Sequence, residues 1–501
     1  MILPSRIPVI VGVGESIDRP AEPSHGLEPM DLMLRAAHAA ELDAHAALLS
    51  QVDSLGVVNI SSWPYLDAPG HLAQCLDIRP RHTTYGAVGG QSPLAFLQDA
   101  AQRIANGQSQ VALICGAEAQ HTVTQALRQG VELPWTAPSA DTPMPLRGVD
   151  IVHPLAAKLG CSHPLSVYPF YETASAAHWR QSPTAAQRES GELWSRYSQH
   201  AASNATAWLP EPYSATDIVT ASPGNRLVAW PYTKLMVANP QVNQGAAVLL
   251  TSLEHARLAG IPEQQLVYPW GGAQAQEPRD FLERDHYWES HAQNAVLTSC
   301  AKLTGGAFEA LELYSCFPCV PKMARRALGL PEKFEPTVTG GLTFFGAPLS
   351  NYMTHAICAM VRRLRTSLPV SRGLLYGQGE FVTKHHGLVL GRRPYPGHPS
   401  LAYSSVQQIA DSHRRAVPAI ETEPLGPGQL EAFTLLYQHN GELQHGVAMV
   451  RTPHNTRTLA RVAPDDKWTL LALTDRDISP VGRTGVLRPT QHGYSEWSLV
   501  I

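Results

Sequence analysis

Two cysteines separated by two residues are the part of this sequence best suited to nucleophilic chemistry. Cys316 follows an apolar run that is predicted to be a buried strand, and Cys319 lies three residues further on. A thiolate at Cys316 could attack an acyl carbonyl if a nearby base lowered its pKa, and His355 and His385 are the candidate bases. The competing interpretation is that Cys316 packs as a small apolar side chain, as buried cysteines usually do.

The same Cys316-x-x-Cys319 spacing could in principle bind zinc or exchange a disulfide. A zinc site of this type needs a second pair of cysteines or histidines at finger-like spacing, and the sequence has none. We therefore expect no metal site.

A glycine-rich turn forms a second candidate site. Residues 88–107 contain a Gly-Gly-Gln-Ser-Pro turn, an amphipathic helix and a closing glycine, and a buried strand is predicted at 111–115. The backbone amides of Gly89, Gly90 and Ser92 could hold a carbonyl oxygen or an anion at the start of the helix. A tight turn between a strand and a helix requires the same glycines, so a purely structural role is the alternative.

The overall composition is that of an ordinary globular protein. The chain has 501 residues, of which 44% are hydrophobic, and a formal net charge of −4. This length predicts two or three packed units. The charge gives no electrostatic basis for binding nucleic acid or a membrane. Seven cysteines without regular paired spacing are typical of a reducing compartment, so we expect a cytoplasmic protein.

The order of the predicted elements divides the chain into three regions. Strand and helix patterns alternate in an N-terminal region, 1–260, which is interrupted by a loop region rich in Pro, Trp, Ser and His at 120–230. A second alternating region covers 261–390, and an additional β-rich region covers 394–501. The alternation predicts α/β units with mostly parallel sheets. Two such halves suggest a duplicated fold, although they share no clear sequence repeat.

The C-terminal region is predicted to be a small β-barrel or sandwich, and an OB-like barrel is the first choice. Five short strands are expected at 430–437, 443–451, 458–462, 468–473 and 485–488. The region has no stripe of basic residues interleaved with aromatic ones, so we do not expect it to bind nucleic acid.

Several segments along residues 5–390 resemble the thiolase superfamily. Besides the glycine-rich turn, they are Pro231-Tyr-Thr-Lys-Leu-Met with Asn243-Gln-Gly-Ala-Ala, Glu312-Leu-Tyr-Ser-Cys-Phe, Gly340-Gly-Leu-Thr-Phe-Phe-Gly-Ala-Pro and Arg372-Gly-Leu-Leu-Tyr-Gly-Gln-Gly. The added C-terminal region narrows the resemblance to the thiolase-like protein type 1 group, whose sequences are commonly labelled acetyl-CoA acetyltransferase. The resemblance implies a duplicated thiolase fold of five α/β layers with a small C-terminal all-β domain.

The resemblance also implies that the catalytic residues of thiolases are missing here. A thiolase uses a nucleophilic cysteine, a second cysteine and an oxyanion hole that includes a histidine. The corresponding positions in this sequence are Gly90 for the nucleophile, Tyr314 for an Asn or His, Ala347 for the Gly-His-Pro histidine, and Tyr376 or Gly377 for the last cysteine. We therefore expect no thiolysis or Claisen condensation by the family mechanism.

The function implied by the resemblance is that of an acyl-CoA-binding protein of lipid metabolism. Its ligand would be a coenzyme A thioester, with no covalently bound cofactor, and Gly346 could join the turn amides in contacting it. Two alternatives are an acyltransferase with relocated catalytic groups, built on Cys316 and a histidine, and a non-catalytic partner subunit. We expect a monomer or homodimer. Candidates for contacting the CoA phosphates are the basic residues of the loop region, namely Arg128, Arg147, Lys158, Arg180, Arg188, Arg196 and Arg226.

Overall fold

The computed structural model describes residues 3–142, 145–367, 370–395 and 402–500. Their strands are β1 (Pro8–Ile17), β2 (Ser54–Val57), β3 (His82–Tyr85), β4 (Val111–Ala119), β5 (Leu227–Trp230), β6 (Tyr232–Thr233), β7 (Asn243–Ser252), β8 (Tyr268–Gln276), β9 (Ala310–Leu313), β10 (Arg372–Gly379), β11 (Lys384–Gly391), β12 (Ala402–Ser405), β13 (Gly426–Tyr437), β14 (Leu443–Arg451), β15 (Arg457–Val462), β16 (Thr484–Pro489) and β17 (Ser495–Leu499). Their α-helices are α1 (Pro29–Ala44), α2 (Ala68–Cys75), α3 (Ser92–Ala105), α4 (Gln120–Gln129), α5 (Pro154–Lys158), α6 (Pro164–His178), α7 (Pro183–Ala202), α8 (Ala215–Val219), α9 (Leu253–Leu258), α10 (His291–Thr304), α11 (Cys319–Ala327), α12 (Tyr352–Thr366), α13 (Gln407–His413) and α14 (Lys467–Leu473). Within these residues, no helix has the length and apolar character needed to cross a bilayer.

Two five-stranded sheets with matching topology form the core of the molecule. One has the strand order β1-β7-β4-β2-β3, and the other has the order β12-β8-β11-β10-β9. In each sheet two antiparallel pairings are followed by a parallel one, so that β1, β7, β4 and β2 correspond to β8, β11, β10 and β9. The predicted duplication is therefore confirmed. The prediction of mostly parallel sheets is wrong, because the short turn between β10 and β11 permits only antiparallel pairing, and β7 takes the equivalent place.

Helices cover both faces of each sheet and complete five layers. Helix α1 packs on β1, β7 and β4, and α10 packs on β8 and β11. Helices α3 and α12 contact strands of both sheets and therefore lie between them. The layered arrangement implied by the resemblance is thus present.

Helix α3 brings the glycine-rich turn to the centre of the molecule. Pro93 lies in its first turn, where a missing N–H is tolerated, and Leu94, Leu97 and Ile104 give the helix a buried apolar face. The chain leaves the helix through Gly107, which has a φ of 69°, in the left-handed region that favours glycine. Because this pattern is local, the helix predicted within residues 88–107 is present.

The C-terminal region contains a closed five-stranded barrel. Its strand order is β14-β15-β17-β16-β13, and a further pairing of β14 with β13 closes the ring. Strands β15 and β17, the third and fifth barrel strands along the chain, pair in parallel. Leu430, Phe433 and Trp497 lie in the barrel core. The prediction of an OB-like barrel is confirmed. Of the predicted domain 394–501, residues 396–401 and 501 lie outside the described residues.

One of the five strands predicted for the barrel is wrong, because residues 468–473 belong to helix α14. The Asp466 carboxylate accepts hydrogen bonds from the amide and the hydroxyl of Thr469, which caps the helix. Thr469 and Leu473, four residues apart, are buried, whereas Trp468 is 70% exposed. This spacing fits one face of a helix. The remaining barrel strand is β17, which the sequence analysis did not predict.

The barrel is joined to the inserted region 120–230. Strand β13 continues beyond the barrel and pairs with β5, which places Leu435 opposite Trp230. The Thr173 hydroxyl on α6 donates to the carbonyl oxygen of Phe433 on β13 and accepts from its amide. The inserted region contains helices α4 to α8. Of these, α6 is buried and packs against β13 of the barrel and against α11 of the core.

A buried arginine fastens the barrel to the C-terminal half of the core. Arg457 on β15 pairs with Glu431 on β13 at 2.8 Å. Its guanidinium also donates to the carbonyl oxygens of Leu282, Arg284 and Asp285, between β8 and α10. Arg457 is fully buried, so water cannot replace these bonds if the side chain is lost.

We predict that Arg457→Leu lowers the free energy of unfolding by about 3 kcal/mol, because Glu431 Oε2 and three carbonyl oxygens lose the hydrogen bonds that Arg457 donates. Urea unfolding monitored by tryptophan fluorescence measures the change. Arg461→Leu on the same strand is the matched control, since its pair with Glu496 is partly exposed and should contribute less than about 1 kcal/mol. Equal effects of the two variants would contradict the conclusion that Arg457 stabilises the contact between the barrel and the core.

Candidate functional site

Tyr314 occupies the space that a side chain at Gly90 would need. A β-carbon on Gly90 would lie 2.2 Å from the hydroxyl oxygen of Tyr314 and 2.5 Å from its ζ carbon. The backbone of Gly90 is outside the left-handed region, so lack of space alone excludes a side chain there. The buried Tyr314 ring packs edge-on against Tyr352, with ring centroids 5.8 Å apart. Burial raises the pKa of Tyr314 above its ordinary value, so its hydroxyl is neutral at physiological pH.

The glycine-rich turn is in close contact with glycines of β10. A β-carbon on Gly377 would lie 3.2 Å from the carbonyl oxygen of Gly90. A β-carbon on Gly379 would lie 2.9 Å from the α-carbon of Gly89. The two halves of the core therefore meet here backbone against backbone.

The two candidates for the last cysteine position face opposite sides of β10. Gly377 faces the turn, whereas Tyr376 faces away from it, as successive residues of a strand do. The Tyr376 hydroxyl contacts His385 Nδ1 at 2.7 Å and accepts from Gln293 Nε2 at 3.0 Å. His385 also contacts the Ser290 hydroxyl, and burial lowers the pKa of His385 to about 4. His385 is therefore neutral and lies on the far side of the strand from Gly90.

Internal hydrogen bonds engage much of the turn. The Gly89 amide donates to the Ser350 hydroxyl at 3.1 Å, and the Ser92 amide donates to the carbonyl oxygen of Gly89 at 3.0 Å. The Ser92 hydroxyl donates to the carbonyl oxygen of Ala87 at 2.9 Å. These bonds fit the structural interpretation of the turn, and ligand contacts by Gly89, Gly90 and Ser92 stay a prediction.

Gly346 and Ala347 lie on the buried loop that precedes α12. The Ala347 amide donates to the carbonyl oxygen of Asn239 at 2.8 Å, and its methyl side chain cannot stabilise an oxyanion. Gly346 has a φ of 114°, and a β-carbon there would lie 2.8 Å from Gln244 Oε1. The glycine is thus required by backbone conformation and by space, and a ligand contact at Gly346 stays a prediction.

Cys316 is a buried and protonated thiol. Its Sγ accepts a hydrogen bond from Gln378 Nε2 at 3.0 Å, and burial raises the pKa of Cys316 to about 12. His355 bonds instead to Glu15 at 2.6 Å, and His385 has the partners given above. Among the described residues, neither histidine is hydrogen-bonded to Cys316, so the proposed nucleophile and bases do not form a couple.

A cavity of about 520 Å³ lies between the inserted helices and the barrel. The sequence analysis did not identify it, because its walls come from distant segments. Arg188 and Arg476, both exposed, stand at its edge. The other lining residues are largely apolar or small and include Ala176, Ala186, Val219, Trp230, Pro231 and Phe433.

One wall of this cavity carries a buried ion pair. Glu172 on α6 is paired with Lys322 on α11 and accepts a hydrogen bond from the Tyr232 hydroxyl at 2.9 Å. Lys322 also donates to the Ser190 hydroxyl at 3.0 Å. The only sequence signal for this pair is a lysine beside Met323 on an otherwise apolar stretch of helix.

Comparison with known proteins identifies the family. A family model described as the thiolase-like protein type 1 additional C-terminal domain matches residues 406–492. The crystal structure of a monomeric SCP2-thiolase like protein type 1 from Mycobacterium smegmatis is 26% identical, with a TM-score of 0.82 and with 100% of both chains covered. Residues 406–492 therefore match the additional C-terminal domain of thiolase-like proteins of type 1, and the whole chain is similar to a solved member of that group.

Thiolases themselves share only the fold with this thiolase-like protein. Acetyl-CoA acetyltransferase from Syntrophomonas wolfei is 14% identical with a TM-score of 0.55, over 77% of this chain and 100% of that one. Human mitochondrial 3-ketoacyl-CoA thiolase in complex with CoA is 14% identical with a TM-score of 0.53, over 78% and 99% of the two chains. No curated protein sequence matches the chain.

We predict that Gly90→Cys in this thiolase-like protein lowers the free energy of unfolding by about 2 kcal/mol, because the new side chain overlaps the Tyr314 ring. In a Tyr314→Ala background the same substitution should cost less than half as much, since the overlap is removed. Urea unfolding of both single variants, the double variant and the unaltered protein measures this coupling. Additive effects would show that Tyr314 does not exclude the nucleophile.

We also predict that Cys316 resists alkylation in the native thiolase-like protein. With a pKa of about 12, only about one thiol in 10⁴ is ionised at about pH 8, and the thiolate is the reactive form. Peptide mapping after iodoacetamide treatment should show modification of the exposed Cys75 and of Cys316 only after denaturation. Rapid modification of native Cys316 would instead favour a relocated nucleophile.

Proposed function

We propose that this thiolase-like protein binds acyl-CoA thioesters and does not perform thiolysis or Claisen condensation by the thiolase mechanism. The observation that carries the proposal is the overlap of Tyr314 with the side-chain position at Gly90. The family mechanism needs a thiolate at that point to form the acyl-enzyme bond. Ala347 likewise offers no side-chain donor for developing oxyanion charge. The covalent route therefore lacks its first step.

The ligand is proposed to enter the cavity between α6, α7, α8 and the barrel. Its volume of about 520 Å³ lies in the range of ordinary small-molecule sites. Ala186, Val219 and Phe433 give it apolar walls, which match an acyl chain or the pantetheine arm of CoA. Removing that apolar surface from water would favour binding.

Arg188 and Arg476 are proposed to bind the phosphates of CoA. Both line the cavity and are exposed. Within the described ranges, neither guanidinium forms an ion pair with a carboxylate. Such a guanidinium is free to make bidentate hydrogen bonds to a phosphate. Of the basic residues that the sequence analysis considered for this role, Arg188 is therefore preferred.

The ion pair between Glu172 and Lys322 is assigned a structural role in this site. Each carboxylate oxygen of Glu172 has a donor, and the Lys322 ammonium donates to Glu172 and Ser190. The two charges therefore compensate each other without a charge from a ligand. The arginines at the mouth are then the groups that distinguish an anionic ligand from a neutral one.

We further propose that the protein is a monomer of the cytoplasm. The similar protein from Mycobacterium smegmatis is described as monomeric. The cysteines of this chain are unpaired, including the exposed Cys75, which fits a reducing compartment.

Intact-mass spectra recorded after incubation with acyl-CoA thioesters of several chain lengths test the proposal. We expect a one-to-one complex under native conditions that is lost on denaturation, because no covalent bond forms. A mass increase that survives denaturation would refute the absence of covalent chemistry. Failure to observe a complex with any thioester would refute the binding function.

Substitutions at the cavity locate the ligand. Arg188→Ala and Arg476→Ala should each weaken binding about tenfold, because each removes charge-assisted bonds to phosphate. Thr216→Trp, at an exposed position of the cavity wall, should also weaken it by blocking entry. Arg196→Ala is the matched control, since Arg196 lies on the same helix but bonds to the carbonyl oxygen of Glu332. Calorimetric affinities that are equal in all four variants would place the ligand elsewhere.

A further inference from the structure

The segment that leads into α10 brings two imidazoles and two carboxylates together. His291 Nε2 lies 2.9 Å from Asp285 Oδ2. His286 Nε2 lies 3.7 Å from the same oxygen and 3.6 Å from Glu289 Oε1. We propose that Asp285, His286, Glu289 and His291 bind one divalent transition-metal ion, and that Zn²⁺ fits this donor set best.

The separations between the donor atoms suit a tetrahedral ion. Zinc bonds to nitrogen and oxygen of about 2.0–2.2 Å correspond to distances of about 3.3–3.6 Å between neighbouring ligand atoms. The observed separations, from 2.9 to 3.7 Å, lie on both sides of this range. Asp285, His286 and His291 have ligand atoms that all lie within 4.8 Å of one another, and the partly exposed Glu289 side chain would have to rotate to become the fourth ligand. The two contacts of His286 Nε2 are too long for hydrogen bonds, so this nitrogen lies between two carboxylates without bonding to either.

His286 is a buried imidazole with unused bonding capacity. Its side chain is 5% exposed, and its Nδ1 is buried without a hydrogen-bond partner. A metal bond at Nε2 would give the buried ring one strong polar contact, while Nδ1 would still have no hydrogen-bond partner among the described residues. The ring stacks on Trp288, with 3.9 Å between the ring centroids and an angle of 10° between the planes. His178 also stacks on Trp288, with 4.6 Å between the ring centroids. These contacts hold the imidazole in a fixed orientation.

Asp285 is oriented by backbone donors. Its Oδ1 accepts from the amide of His286, and its Oδ2 accepts from the amide of Arg415, both at 3.0 Å. Contacts of this kind fix a ligand in place and tune a metal site. Because Arg415 precedes the barrel, an ion held here would also stabilise the segment that connects the core to the barrel.

The donor atoms border a groove of about 660 Å³, through which an ion can enter. His286, Glu289 and His291 line this groove, and the side chain of Glu289 is 42% exposed. The site is distinct from Cys316-x-x-Cys319, where the sequence analysis rejected a metal. It is also independent of the proposed acyl-CoA cavity.

Metal binding by the full-length chain without an affinity tag tests the proposal. After treatment with a chelator and dialysis, calorimetric titration with Zn²⁺ should give one site per chain. Titration with Co²⁺ should give the intense visible absorption of a tetrahedral cobalt complex. The absence of stoichiometric binding, or a cobalt spectrum typical of octahedral hydrated ion, would overturn the proposal.

Substitutions decide whether the bound ion uses these residues. Glu289→Gln and His291→Gln should each weaken Zn²⁺ binding by about tenfold or more. His200→Gln is the matched control, because it breaks another histidine–carboxylate pair, with Glu335 at 2.7 Å, outside the cluster. It should leave the affinity unchanged. Undiminished affinity in Glu289→Gln, a partly exposed position at which folding is preserved, would overturn the assignment even if His291→Gln failed to fold.

Discussion

Backbone contact between the two halves of the core is the constraint on which this site depends. Gly89 and Gly90 lie against Gly379 and Gly377, where a β-carbon on Gly379 would overlap the backbone and one on Gly377 would be tightly crowded. The ring of Tyr314 then fills the space that this contact leaves at the entrance of α3. In a thiolase this is where the nucleophile and the last cysteine would meet. In this protein the contact is made by glycines and the Tyr314 ring, and their van der Waals packing stabilises the interface between the two sheets.

Closing the centre moves the available binding space to the edge of the core. The cavity between the inserted helices and the barrel has a buried charge pair, Glu172 with Lys322. Its exposed charges, Arg188 and Arg476, form no ion pair with any residue that the structure describes. Paired buried charges stabilise a wall, whereas unpaired cations at a mouth attract anions. The proposed acyl-CoA site therefore rests on the exposed arginines at the mouth of this cavity and not on the positions that resemble thiolase catalytic residues.

The barrel takes part in both candidate sites. Strand β13 pairs with β5 and contributes Phe433 to the cavity wall. Arg457 on β15 holds the segment that continues into the proposed metal ligands, because its guanidinium bonds to the carbonyl oxygen of Asp285. The additional domain is therefore a structural part of the molecule. Its removal would disturb the cavity and the histidine cluster together.

Local sequence pattern determined α3 and β14, because periodicity and end residues act within one segment. The sequence also determined that position 90 carries no side chain, since no folding can supply one at a glycine. The strand predicted at 468–473 is a helix, because Asp466 caps it and because Thr469 and Leu473 are buried at helical spacing. Only the tertiary structure placed Tyr314 against Gly90, separated Cys316 from the histidines, and assembled the cavity and the histidine cluster. These depend on contacts between distant segments, which are decided by packing of the whole chain and not by the pattern within any one part of it.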